Sequence, residues 1–194
     1  MSIPVAPHER LRWSTLSTEE KRERLLAAAA SVFSHAGLEA PMSDVAEAAG
    51  AGVASVYRLY PSKHELYAAL VCRRMDQLCE AARQAEQRPG DRWSALTEML
   101  RAQVQTQSLE PFVGEARAIV GDRPEVQEAT TRWTKAQERL LAAARAEGRL
   151  RADATALDLR LLFAATRAAK RLEPDRWPRM LELLIDALDG SRGR

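Results

Sequence analysis

The sequence predicts an all-α protein, and three observations carry that reading. Ala, Leu, Arg and Glu dominate a composition with only 5% aromatic residues, a mixture that favours helices over a β-sandwich or barrel. Apolar residues recur at three- and four-residue spacing in one segment after another, with no alternating strand pattern and no repeat of fixed period. Glycines, prolines and capping residues divide those segments at helical lengths. The 194 residues suffice to bury a core without disulfides or metals. With 46% hydrophobic and 29% charged residues of mixed sign, the chain is globular rather than disordered.

The elements follow in order. Residues 1–17 form a mixed tail with Pro4, Pro7, Arg10 and Arg12. Ser17 to Glu20 offers a capping box that starts the first helix. Leu25, Ala28, Ala29, Val32, Phe33 and Ala36 are its apolar stripe, and Gly37 is its stop. Pro41 suits a first helical turn, and Met42, Val45, Ala46 and Ala49 mark a second, short helix. Gly50 and Gly52 interrupt it before a third short helix from Val53 to about Leu59, which stops at Pro61 and Ser62. Lys63 opens a long helix to about Gln87. Three short helices with a tight glycine turn between the second and third make a helix-turn-helix layout.

Beyond the break at Arg88–Asp91, Asp91 or Ser94 caps a helix bearing Trp93, Leu96, Met99, Leu100 and Val104. A further break lies near residues 108–111, followed by a short segment with Phe112, Val113, Ala116 and Ile119. Gly121 to Pro124 turns the chain into a long amphipathic helix to about Glu147 carrying Trp133, Ala136, Leu140 and Ala143. Two final helices run over about 155–171 and 175–189, with Gly190 as the stop.

Several function classes lose support. No apolar run approaches the roughly 18–20 residues of a membrane span. The opening MSIPVAPHERLRW lacks the layout of a signal peptide, so a cytoplasmic protein is expected. Cys72 and Cys79, seven apart on a helix, would lie roughly 10.5 Å apart, too far for a disulfide, and both read as core. His8, His35 and His64 give no metal-ligand spacing. No catalytic residue, metal or cofactor is assigned. The net charge of +2 neither demands nor excludes a nucleic-acid partner.

The segment 21–70 carries the function. An apolar first helix is closed by Ala36 and Gly37. Asp44-Val45-Ala46 precedes Ala49-Gly50, then Ser55-Val56-Tyr57-Arg58, and Tyr60-Pro61-Ser62-Lys63 precedes Glu65-Leu66. In this order and spacing the segment resembles the N-terminal DNA-binding domain of TetR-family transcriptional regulators. The rest of the chain suits that family's ligand-binding and dimerisation domain but has no motif of its own. The expected division is therefore a tail (1–17), a DNA-binding domain (18–64) and a regulatory domain (65–194).

In a helix-turn-helix the third helix faces base edges in the major groove of double-stranded DNA, the operator. Val56 and Tyr60, four apart, should pack inward, leaving Gly52, Val53, Ala54, Tyr57 and Arg58 toward DNA. The resemblance implies that Tyr57 and Lys63 are phosphate contacts and that Ser55 lies near the backbone or a base. Ser43 is a further phosphate candidate, because a hydroxyl donates to phosphate and an ammonium neutralises it. Taken singly, Tyr57 is also an ordinary packing residue, Lys63 a solvated lysine and Ser62 a helix cap; the ordered set favours DNA. Arg58 is the guanine reader or a phosphate contact, while Val53 and Ala54 suit thymine methyls.

In the regulatory domain Trp93, Met99, Leu100, Val104, Phe112, Trp133 and Phe163 either line a pocket for a small apolar or amphipathic ligand or simply form the core. Leu157, Leu161, Ala165, Trp177, Leu181, Leu184 and Leu188 on the last two helices read as a homodimer interface. The expected function is a dimeric repressor released from its operator by a small molecule, repression being a tendency of the family. Two alternatives are a helical enzyme using Glu98, Glu115 or Glu138 as an acid or base, and a DNA-binding adaptor controlled by a protein partner.

Overall fold

The structure is a computed structural model that describes residues 13–107 and 112–193. The first part of the expected tail and the break at 108–111 lie outside the described residues. The described residues form nine α-helices in the order α1 (Thr18–Ala36), α2 (Met42–Ala49), α3 (Val53–Leu59), α4 (Lys63–Gln87), α5 (Arg92–Gln107), α6 (Phe112–Val120), α7 (Pro124–Ala146), α8 (Ala156–Leu172) and α9 (Trp177–Leu188). The one extended pairing described is an isolated bridge between Leu150 and Asp189. No helix among the described residues is long and apolar enough to cross a membrane.

Local chemistry sets the helix ends. The Ser17 hydroxyl accepts from the Glu20 amide at 3.2 Å, and the Glu20 carboxylate accepts from the Ser17 amide at 2.7 Å. This closes the capping box at the start of α1. Gly37 ends the helix with φ 75°. Between Asp91 and Ser94, Asp91 is the cap of α5, its carboxylate accepting from the Ser94 amide at 2.7 Å. A second capping box, Thr155 with Asp158, opens α8. Each such cap is worth ~1 kcal/mol.

Two apolar clusters divide the protein along α4. The first gathers Leu25, Leu26, Ala29 and Phe33 of α1, Met42, Val45, Ala46 and Ala49 of α2, Val56, Tyr60, and α4 as far as Val71. The second begins at Met75 of α4 and takes in α5, α7, α8 and the inner face of α9. Helix α6 joins the first cluster through Phe112, Ala116 and Val120, together with Val126 of α7. The Phe112 ring stands 5.9 Å from Phe33 in an edge-to-face contact, and Phe33 makes a second such contact with Tyr67 at 5.5 Å. Cys72 and Cys79 are free thiols, half-buried at the edge of the packing rather than within it.

Candidate nucleic-acid interface

The turn between α2 and α3 depends on Gly50. Its backbone is left-handed (φ 65°, ψ 35°), and its amide donates to Glu47 O at 3.0 Å. A side chain there would meet the strain that L-residues carry in this region. Gly52 then starts α3, its carbonyl accepting from the Ser55 amide at 2.8 Å. With only seven residues, α3 holds its place by tertiary packing. Val56 is fully buried against α1 and α2, and Tyr60 is buried one turn later. Burial pushes the Tyr60 phenol above its ordinary pKa.

With that face anchored, the opposite face turns to solvent. Gly52, Val53, Ala54, Tyr57 and Arg58 are exposed and Ser55 is half-buried. Val53 and Tyr57 keep 43% and 46% of their surface, open to a partner on this face. The Arg58 guanidinium donates to Ser55 Oγ at 2.6 Å, which lays it along α3. Ser43 is exposed in the first turn of α2, its hydroxyl donating to Asp44 at 3.2 Å. Lys63 stands half-buried at the first position of α4, where Ser62 caps the Glu65 amide at 3.1 Å. The positive end of the α4 dipole adds to the ammonium there.

Sequence reasoning missed two contacts that hold this unit. The Tyr67 hydroxyl donates to the Leu38 carbonyl at 2.6 Å, fixing the α1–α2 loop to α4. Arg123, just before α7, donates to Glu65 at 2.7 Å and to Glu125 at 2.7 Å. That pairing partly neutralises the carboxylate nearest the start of α4. Both join residues far apart in the chain, and no local spacing announces them.

In the regulatory domain, Trp93, Met99, Leu100, Val104, Trp133 and Phe163 share the second cluster. Phe112 does not join them. It packs on Phe33, because α6 turns its apolar side toward the DNA-binding unit. A crevice of about 360 Å³ between α4 and α5 is lined by Arg74, Leu78, Ala85, Met99 and Gln103 among others. Glu98 at its rim pairs with Arg88, and Glu115 and Glu138 are exposed, so none of the three is a buried acid or base. On the last helices, Leu181 and Leu188 turn inward into the protomer's own core, a correction to the interface expected from their spacing. Trp177 and Leu184 are half-buried against that core, and Ala165 is half-buried. Leu157 and Leu161 remain 52% and 59% exposed, joined by Met180 and Leu183 of α9.

A short helix presented outward by a braced partner helix, joined through α4 to a larger helical bundle, is the arrangement of a helix-turn-helix DNA-binding regulator. Residues 25–70 match the family model described as bacterial regulatory proteins, tetR family. Residues 88–190 match the one described as the C-terminal domain of SbtR-like transcriptional regulators. The chain belongs to the TetR family of transcriptional regulators. A solved TetR regulatory protein from Mycobacterium vanbaalenii is 26% identical, with a TM-score of 0.69 over 89% of this chain and 96% of that one. A TetR regulator from Streptomyces coelicolor is 25% identical, with a TM-score of 0.68 over 87% and 98%. The HTH-type transcriptional activator FasR of Mycolicibacterium smegmatis is 39% identical over 75 residues, 38% of this chain. That match spans 34% of the relative's length, about a third.

Proposed function

We propose that this regulator acts as a homodimer, holding its operator through two copies of α3 and releasing it when a small apolar or amphipathic molecule enters the regulatory domain. The observation that carries the reading is the pair of outward faces: Gly52, Val53, Ala54, Tyr57 and Arg58 at α3, and an apolar one on α8 and α9. Leu157, Leu161, Met180 and Leu183 form surface that a monomer gains nothing by exposing. Pairing them across a two-fold axis makes a four-helix interface and sets the two α3 helices at half-sites roughly 34–36 Å apart. In this reading Ser43, Tyr57 and Lys63 hold phosphates, while Val53, Ala54 and Arg58 face base edges.

Support for a ligand comes from the second cluster. Gln103 and Gln137 are 5% and 1% exposed, and the Gln103 Oε1 and Gln137 Nε2 atoms have no hydrogen-bond partner among the described residues. Buried amides left so are costly in an apolar core and suit a ligand carrying a complementary polar group. Helix α4 supplies the coupling: Lys63 at its start lies at the DNA face and Met75 and Leu78 lie in the regulatory core. A ligand that favours one tilt of α4 changes the spacing of the recognition helices, and coupling of roughly 1–3 kcal/mol gives about 5- to 150-fold in affinity.

The same reading makes the protein a cytoplasmic repressor without catalytic activity. The name of the FasR relative favours activation as the second reading. Footprinting upstream of the protein's own gene, with a promoter fusion in cells with and without it, tests both. Protection with a rise in transcription on deletion supports repression, and a fall supports activation. Absence of any protected site would remove the operator reading. A small-molecule panel that never shifts the melting temperature would favour an adaptor controlled by a protein partner.

A further inference from the structure

Many arginines of this protein are paired with carboxylates among the described residues. Arg83, Arg88, Arg101, Arg123, Arg132, Arg139, Arg149 and Arg151 each meet a carboxylate. Three others along one seam do not. Arg117 projects from α6 and is half-buried; Arg160 and Arg167 project from the exposed side of α8, two turns apart. No carboxylate among the described residues lies within ion-pair distance of any of them. Burial and, after it, the charge of Arg160 push the Arg117 guanidinium below its ordinary pKa, so its charged neighbour is another cation.

Gly114 adds a second observation. A Cβ built there would stand 2.8 Å from Arg167 Nη1, so the guanidinium lies directly against the α6 backbone. A larger residue at 114 would push it off. The glycine has no positive φ to explain it, and what it permits is this close approach. Cationic groups gathered without a counter-charge repel one another, and a bound anion relieves that repulsion while each guanidinium offers a planar fork of donors.

We propose that the seam between α6 and α8 is an anion site, built by Arg117, Arg160 and Arg167 over Gly114, and that it takes an effector bearing a phosphate. Three guanidiniums along one seam match a multiply charged phosphate or pyrophosphate group better than a single carboxylate. The site has a direct route to the DNA face. The helix that carries Arg117 buries Phe112, Ala116 and Val120 in the same cluster as Phe33 of α1 and Val56 of α3. An anion that draws α6 toward α8 therefore pulls on the packing that aims α3. The proposal rests on the reading of the protein as a ligand-responsive regulator and supplies the chemistry of one such ligand.

The test is thermal unfolding of the full chain with inorganic pyrophosphate, against sodium chloride at equal ionic strength and against acetate. At about a hundredfold excess over Kd, pyrophosphate raises the melting temperature by about 5–10 °C, and acetate does not. Arg160→Gln and Arg167→Gln, both exposed positions, abolish the rise and leave the fold intact. Arg117→Gln without anion melts no lower than the wild type, because a repulsion has been removed. An equal rise in wild type and variants would mean general surface binding and overturn the site. So would a loss of dimer in Arg160→Gln with the pyrophosphate response unchanged, which would assign the arginines to the partner subunit. Operator binding is read separately, with and without pyrophosphate at equal ionic strength. A 5- to 150-fold change that needs Arg160 supports the regulatory role, and an unchanged affinity overturns that role. Failure to bind DNA in every condition overturns the operator reading and leaves the thermal result standing.

Discussion

Replacing Leu161 by Glu tests the dimer reading most directly, because the side chain is 59% exposed in the protomer. Fully burying a leucine is worth roughly 1.5–3 kcal/mol. The surface still open at Leu161 therefore has about 1–2 kcal/mol to contribute on association. The two-fold axis presents each substitution twice, so the dimer loses about 2–4 kcal/mol, before the added cost of burying two carboxylates. That corresponds to a dissociation constant raised by about 30- to 900-fold. Sedimentation velocity across a concentration series measures the shift, and circular dichroism establishes that helicity is unchanged. Leu181→Asp is the counter-example: at 3% exposure its damage falls on the protomer's own core, and helicity and dimer are lost together. Specific DNA binding should fall with the Leu161 dimer, since two linked half-sites gain affinity through effective concentration. A folded Leu161→Glu protein that stays dimeric at wild-type concentrations would refute the α8–α9 interface.

Lys63→Ala should weaken binding to all DNA sequences alike and lower the salt slope by about one unit, measured by titration at several salt concentrations; a changed preferred sequence with an unchanged slope would count against a phosphate contact. Arg58→Ala separates two roles: relaxed preference at one base pair, about 1–3 kcal/mol, marks a guanine reader, and uniform weakening marks a phosphate contact. Tyr67→Phe leaves the Leu38 carbonyl without its 2.6 Å donor and should cost about 1–3 kcal/mol of stability by denaturant unfolding, with no change in m-value.

The helix-turn-helix was readable because its signals are local. Ser17 and Glu20, Gly37, Gly50 and the inward pair Val56 and Tyr60 act within a few residues of themselves, so spacing alone places them. The regulatory half was readable only as helices. Periodicity shows that Leu181, Leu184 and Leu188 share a stripe; it does not show which neighbour covers the stripe. The inward turn of Leu181 and Leu188 is set by the core they enter, with α8 as the helix packed on α9. Phe112 illustrates the same limit, since nothing in 112–120 says that its apolar face meets α1. The ties from Tyr67 to Leu38 and from Arg123 to Glu65 span 29 and 58 residues, beyond the reach of any local pattern.

The packing of Phe112 on Phe33 also bears on how such regulators are recombined. A chimera cut at residue 64, where the helix-turn-helix ends in sequence, would strip its core of Phe112, Ala116, Val120 and Val126. The excised fragment would also lose Leu66, Tyr67, Leu70 and Val71 of α4, leaving the apolar side of Phe33 exposed, and would tend to aggregate. Transplanting this DNA specificity onto another sensor therefore means carrying α6 and the first turn of α7 with it, as a discontinuous module, or choosing a recipient whose own sixth helix presents the same aromatic.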